Sequence, residues 1–259
     1  MADKRLLHEA LKSPSMWLAF LKFALSRSLH REHVCIRRDG LTLEVGTGGG
    51  QGGWCAIAGL GYEPELPVWV RAIQRGDVII DIGANVGAFA LRAAQKAGPD
   101  GKVIGFEPMP VTADRLRRNA QLNGVANLEV IQSAVGAQAG EVELHWAGHE
   151  GSASILRQTE QPGITVSVVT LDDELPRRNV QRVDWIKMDI EGAEPQALDG
   201  MHETLRRFRP RILFENGVSG LETCERLRAL DYEIGRLSLD GSWSVANEGI
   251  NLFARPALG

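Results

Sequence analysis

The chain has 259 residues, 44% of them hydrophobic, enough apolar material for one large domain or a domain with a small appendage. Its net charge of −4 speaks against a polyanion binder, so nucleic acid is set aside as a partner. Cys35, Cys55 and Cys224 lie far apart with no CxxC pair, which speaks against a zinc site or a disulfide framework and fits a reducing, cytoplasmic setting.

Residues 1–33 read as helical, divided near Pro14. Trp17, Phe20, Leu21, Ala24 and Leu25 recur at helical spacing and are expected to pack on the main domain or a homodimer partner. The alternative is a basic helix lying on a membrane surface, because residues 1–38 carry eight Lys/Arg against three Asp/Glu. Lys22 breaks the most apolar run, Met16–Leu25, so no spanning helix is read, and the run begins too far in, with no small-residue cleavage site after it, to read as a signal peptide. "VCIRRDGLTLEV" predicts a hairpin turning at Asp39-Gly40. A glycine run and a Pro-bounded stretch to Pro67 follow.

From Val68 onward, short apolar runs alternate with helical patterns. Strands are expected at Val78–Ile82, Val103–Glu107, Leu128–Ile131, Trp185–Asp189 and Arg211–Glu215. Helices are expected at Val86–Ala97, Val111–Leu122, Pro195–Leu205 and Leu221–Leu230. This alternation predicts an α/β fold with a mostly parallel sheet covered on both faces. Residues 140–170 read as an inserted β-rich segment. The chain closes with an antiparallel pair turning at Asp240-Gly241. The resulting division is a helical and hairpin appendage, 1–67, and a cofactor domain, 68–259.

Two glycine loops compete for the cofactor. "LEVGTGGGQGG" (43–53) is followed by more glycine and two prolines, poor helix material, with no later strand ending in an acid. It reads as a hairpin tip, structural or substrate-facing. "VIIDIGANVGAFA" (78–90) has a strand ending at Asp81, a helix after it, and a second strand ending at Glu107. Gly83 and Gly87 are expected to line the ligand, with free N–H groups at the helix start and Glu107 on ribose hydroxyls. Asn85 stands where a dinucleotide fingerprint needs glycine, which points to a ligand without pyrophosphate, such as S-adenosylmethionine.

"VIIDIGANVGAFALRAA", "VIGFEPMP", "TLDDEL", "VDWIKMDIEGAEPQAL", "ILFEN" and "NLFARP", in this order over residues 68–255, resemble the FkbM-type methyltransferases. The resemblance implies a Rossmann-like class I methyltransferase domain with a seven-stranded sheet and an antiparallel last strand. It also implies S-adenosylmethionine-dependent O-methylation of a small molecule, natural product or sugar. By position, Asp81, Gly83, Asn85 and Gly87 would contact the methionine part of the cofactor, Glu107 the ribose, and Ser133 and Ala134 the adenine.

An aliphatic hydroxyl needs a proton acceptor or a cation that lowers its pKa. Asp189, Glu191, Glu194, Glu215 and Asn216 cluster at two strand tips. In one mechanism a carboxylate, or His149 of "HWAGHEGSAS", is the base. In the other, Asp189, Glu215 and Asn216 hold magnesium, an arrangement similar to that of catechol-type O-methyltransferases. Glu194 also fits a helix-start charge, Lys187 an ion pair, and "SGLE" (219–222) a capping box. The rival functions are an NAD-type oxidoreductase and a non-catalytic cofactor-binding module.

Overall fold

A computed structural model describes residues 14–48, 51–59, 63, 65–146, 153–154 and 163–257. Helix α1 (Pro14–Ser28) leads into hairpin β1 (His33–Arg38) and β2 (Leu41–Gly46), followed by helices α2 (Gln51–Ala58) and α3 (Glu65–Ala72). The hairpin turns at Asp39 and Gly40, both at positive φ (48° and 80°), as the two-residue loop demands.

The main sheet begins with β3 (Val78–Ile82), α4 (Ala90–Ala97), β4 (Lys102–Phe106), α5 (Pro110–Leu122) and β5 (Leu128–Ile131). A second, four-stranded sheet interrupts it, made of β6 (Ala134–Val135), β7 (Gly140–Trp146), β8 (Ala153–Ser154) and β9 (Ile164–Val169). The chain returns through α6 (Leu171–Arg177), β10 (Trp185–Met188), α7 (Glu194–Asp199), α8 (His202–Phe208), β11 (Arg211–Glu215) and α9 (Gly220–Ala229). It ends with β12 (Tyr232–Leu237), β13 (Trp243–Val245) and β14 (Asn251–Pro256).

Strand order in the main sheet is β13-β12-β14-β11-β10-β3-β4-β5. The five strands from β11 to β5 are parallel, and β14 runs antiparallel between β11 and β12. The count is eight rather than seven, because Trp243–Val245 adds an antiparallel edge strand. Chain order reverses between β3 and β10, so the crevice for a ligand opens beyond their carboxyl ends. Alternate side chains feed two cores. Ile80, Ile104, Ile186 and Phe214 lie on one face. Ile79, Val103, Trp185 and Phe253 lie on the other, with Trp69 and Phe89.

Helix α5 ties the N-terminal hairpin to the sheet. Asn119 and Asn123, one turn apart, each exchange two hydrogen bonds with the free edge of β2, at Glu44 and Thr42 respectively. Asn119 Nδ2 also donates to the Val86 carbonyl at 2.9 Å, so one buried amide links the hairpin to the β3–α4 turn.

Four sequence expectations change here. The segment after the glycine run is a helix, α2, because Gly52 and Gly53 fall in its first turn and the buried Cys55, Ala56, Ile57 and Ala58 supply packing. Glycine at 53 also permits close approach, since a Cβ there would lie 2.9 Å from the Phe23 ring. Pro67 sits in the first turn of α3, where its missing N–H costs nothing, and so does not bound a loop. Predicted helix Pro195–Leu205 is two helices, separated at Gly200, where a Cβ would collide with the Gly136 carbonyl. Finally, α1 packs through Met16, Ala19, Phe20 and Phe23, leaving Leu21 and Leu25 outside.

Candidate active site

The β3–α4 turn is built by its neighbours. The Gly83 and Ala84 amides both donate to the Phe106 carbonyl at 3.0 Å. The Asn85 amide donates to Glu107 Oε2 at 2.9 Å, Val86 to the Asn85 side chain at 2.7 Å, and Gly87 to the Ala84 carbonyl at 2.9 Å. Asn85 holds φ of +50°, where asparagine is better tolerated than other side chains. These five amides, of residues 83–87, are all taken up by the turn and by the end of β4, and helix α4 starts only at Ala90. A pyrophosphate would meet occupied donors and a carboxylate, which speaks against the dinucleotide reading.

At Gly83 and Gly87 the space a side chain would need is already filled by protein. A Cβ on Gly83 (φ +80°) would collide with the Asp189 carbonyl, and one on Gly87 (φ +97°) with Leu116. Substituting Gly83→Ala is expected to destabilise the fold by about 2 kcal/mol or more, from positive-φ strain plus the collision. Chemical denaturation measures this.

Glu107 lies under the turn, with Oε1 accepting from the Met109 amide at 3.0 Å and Oε2 from Asn85. Two amides occupy two of about four lone-pair directions, so acceptor capacity remains for ligand hydroxyls. Burial pushes its pKa up to about 7 against those two hydrogen bonds. Ser133 and Ala134 lie just past the tip of β5. Ser133 Oγ is 2.7 Å from Ser167 Oγ.

Asp81 is fully enclosed and faces Lys187, its partner in the β3–β10 register. Lys187 Nζ is 3.4 Å from Asp81 Oδ1 and 3.4 Å from Asp189 Oδ2, and 4.6 Å above the Phe89 ring. Burial alone would depress the Lys187 pKa, but Asp81, Asp189 and Glu63 outweigh it and raise it. Asp81 thus fixes the lysine from below, while the Asp189 side chain, 25% exposed, reaches the open edge.

The turn after β10 explains "DIEGAE". Glu191 and Gly192 take positive φ (56° and 103°). The buried Glu194 carboxylate accepts from the Ile190 amide at 3.1 Å and from Ser219 Oγ. Glu194 is therefore a clamp on its own turn and on the start of α9. The capping-box expectation for Ser219 is corrected, because its hydroxyl goes to Glu194 and makes no cap. "TLDDEL" likewise serves the fold: Thr170 caps α6, and Asp172 caps α8 through the Glu203 and Thr204 amides at 2.9 and 2.8 Å.

At the tip of β11, Glu215 stands opposite Asn251 in the register. Burial, then Asp189, Glu191, Glu194 and Glu63, push its pKa up to about 8. Sequence reasoning missed Glu63. It accepts from Asn251 Nδ2 at 3.2 Å, and burial and Asp189 raise its pKa to about 7. Only a tertiary contact spanning 188 residues places it here. Asn216 Nδ2 donates to the Gly249 carbonyl at 3.0 Å. That bond commits Nδ2 to the 247–249 loop and leaves Oδ1, the atom a magnesium ion would take, out of it. Among the described residues, no group of three or more His, Cys, Asp or Glu could hold a metal ion. His149 lies outside the described residues; His145 Nε2 is 3.6 Å from Glu143 on β7.

The three carboxyls raised to about 7 or 8, Glu63, Glu107 and Glu215, bind protons more tightly folded than unfolded. Their contribution to stability is full below about 4.5 and is lost as pH rises through about 7 to 8. Thermal melting is expected to weaken over that window, and Glu215→Gln is expected to melt higher than the wild type at pH 8.

The parallel sheet and its switch point define a doubly wound α/β domain with a ligand crevice beyond the carboxyl ends of β3 and β10. Its family follows from comparison. Residues 81–234 match the methyltransferase FkbM domain model, and the chain belongs to that family. It is 30% identical over 162 residues to the 31-O-demethyl-FK506 methyltransferase FkbM of Streptomyces tacrolimicus, covering 51% of this chain and 62% of that one. It is 29% identical over 158 residues to the 2-O-methyltransferase NoeI of Sinorhizobium fredii, covering 54% and 64%. It is 24% identical over 188 residues to the hexuronic acid methyltransferase AglP of Haloferax volcanii, covering 71% and 76%. The matches span 58–64% of the length of the first three curated relatives.

Proposed function

We propose that the protein is an S-adenosylmethionine-dependent O-methyltransferase acting on a hydroxyl of a small molecule or sugar. One observation carries this reading: Glu107 is seated beneath a turn in which the amides of residues 83–87 are all satisfied, with acceptor capacity left over. That site suits ribose hydroxyl donors and repels phosphate. Bound S-adenosylmethionine supplies an activated methyl group, so the protein's task is alignment and proton removal.

Each role falls to a residue already placed. Glu107 accepts the ribose hydroxyls, and Ser133 and Ala134 flank the adenine. Asp189, beside Glu63 and Glu215, presents negative charge to the cationic methionine end. Asp81 acts through Lys187 and does not touch the cofactor. Glu215, raised to about 8 by burial and the neighbouring acids, accepts the hydroxyl proton in its ionised form, which becomes the major form above pH 8, with Glu191 next to it. The names of FkbM, NoeI and AglP support hydroxyl and sugar acceptors.

The test is transfer of a labelled methyl group to a panel of sugar and macrolide alcohols. Label recovered as an acid- and base-stable methyl ether supports the reading. Cofactor binding without transfer to any alcohol would leave a binding module and overturn the catalytic assignment.

A further inference from the structure

Helix α1 is apolar on two opposite sides. Its inner side packs through Met16 and Ala19 with Phe20 and Phe23. Along its outer side and just past its end, Leu18, Leu21, Leu25 and Leu29 are 70%, 55%, 61% and 58% exposed. Their spacing of three, four and four residues makes one continuous ridge. Beside the ridge opens a cleft of about 500 Å³, lined by Lys22, Ser26, Arg31, Glu32 and His33 among others. Residues 1–38 carry a net charge of +5, while the rest of the chain carries −9.

We propose that this face docks on an anionic membrane surface. The leucine ridge enters the leaflet, and the cleft receives a phospholipid phosphate between Lys22, Arg31 and His33.

Two arguments favour lipid over a second copy of the chain. Four leucines cover on the order of 400 Å², about half of the roughly 800 Å² that each partner of a stable interface contributes. A basic cleft next to the ridge also complements a phosphate headgroup but has no use in pairing leucine with leucine. The contact is interfacial: no helix among the described residues is long and apolar enough to cross a membrane, and the 15 residues of α1 span about 22 Å.

The full-length protein is floated with phosphatidylcholine vesicles, with and without about a third phosphatidylserine. Binding is expected only to the anionic vesicles and is expected to fall at high salt. The double change Leu21→Ser with Leu25→Ser is expected to weaken it at least about tenfold. Lys22→Gln and Arg31→Gln are expected to weaken it about fivefold each. All four side chains are exposed, so melting temperatures and S-adenosylhomocysteine binding stay at wild-type values. Three results overturn the proposal: no flotation with anionic vesicles; flotation that none of these substitutions alters; or a dimer in sedimentation velocity that the leucine changes dissolve.

Discussion

Replacing Lys187 with methionine is expected to destabilise the protein by about 3–5 kcal/mol, a large share of a typical domain's stability. Lys187 is the buried cation between Asp81 and Asp189, at 3.4 Å from each. Methionine keeps much of the aliphatic stem and loses the charge, along with the cation–π contact to Phe89. Asp81, fully enclosed, then holds an uncompensated charge or must take a proton. Asp81→Asn in the same chain removes that charge, so the double variant is expected to recover part of the loss. Urea unfolding of the single and double variants measures both effects. An additive double variant would show that the two side chains do not act as a pair.

The second large effect is on affinity. Glu107→Gln is expected to weaken S-adenosylhomocysteine binding on the order of 10- to 100-fold, the loss of one hydrogen bond to a charged acceptor. The amide also sets a donor against the Asn85 or Met109 N–H, which disturbs the turn itself. Ribose hydroxyls are donors and prefer the ionised carboxylate. With the Glu107 pKa near 7 in the ligand-free site, wild-type affinity should rise as pH increases from 6 to 8. Loss of that slope in Glu107→Gln, seen by calorimetry at several pH values, would assign it to this carboxyl. An unchanged slope would place the titration elsewhere.

The β3–α4 turn and the carboxylate beneath it were legible because their grammar is local. A buried strand, a turn and an acid at the next strand tip lie within 30 residues, so Val78–Ile82 and Glu107 could be placed from pattern alone. The parallel sheet followed from alternating texture, and the Asp39-Gly40 hairpin from turn chemistry. What escaped the sequence depends on register or on distant contacts. Lys187 faces Asp81 only because β10 pairs in parallel with β3 in one register. Glu63 reaches the acidic edge through Asn251, far along the chain. Asn216 was read by type and position as a metal ligand, and only the 247–249 loop shows where its Nδ2 points. Helix α2 was missed because glycine content argues against helix, while burial of "CAIA" overrides that preference. In α1, periodicity showed that apolar residues share faces but not which face turns inward.

The most direct test is calorimetric titration of the wild-type protein with S-adenosylhomocysteine, with NADH as the comparison. The site described here predicts saturable one-to-one uptake of the first and none of the second. Uptake of NADH, or no heat from S-adenosylhomocysteine across pH 6 to 8, would contradict a turn built to hold a nucleoside over Glu107.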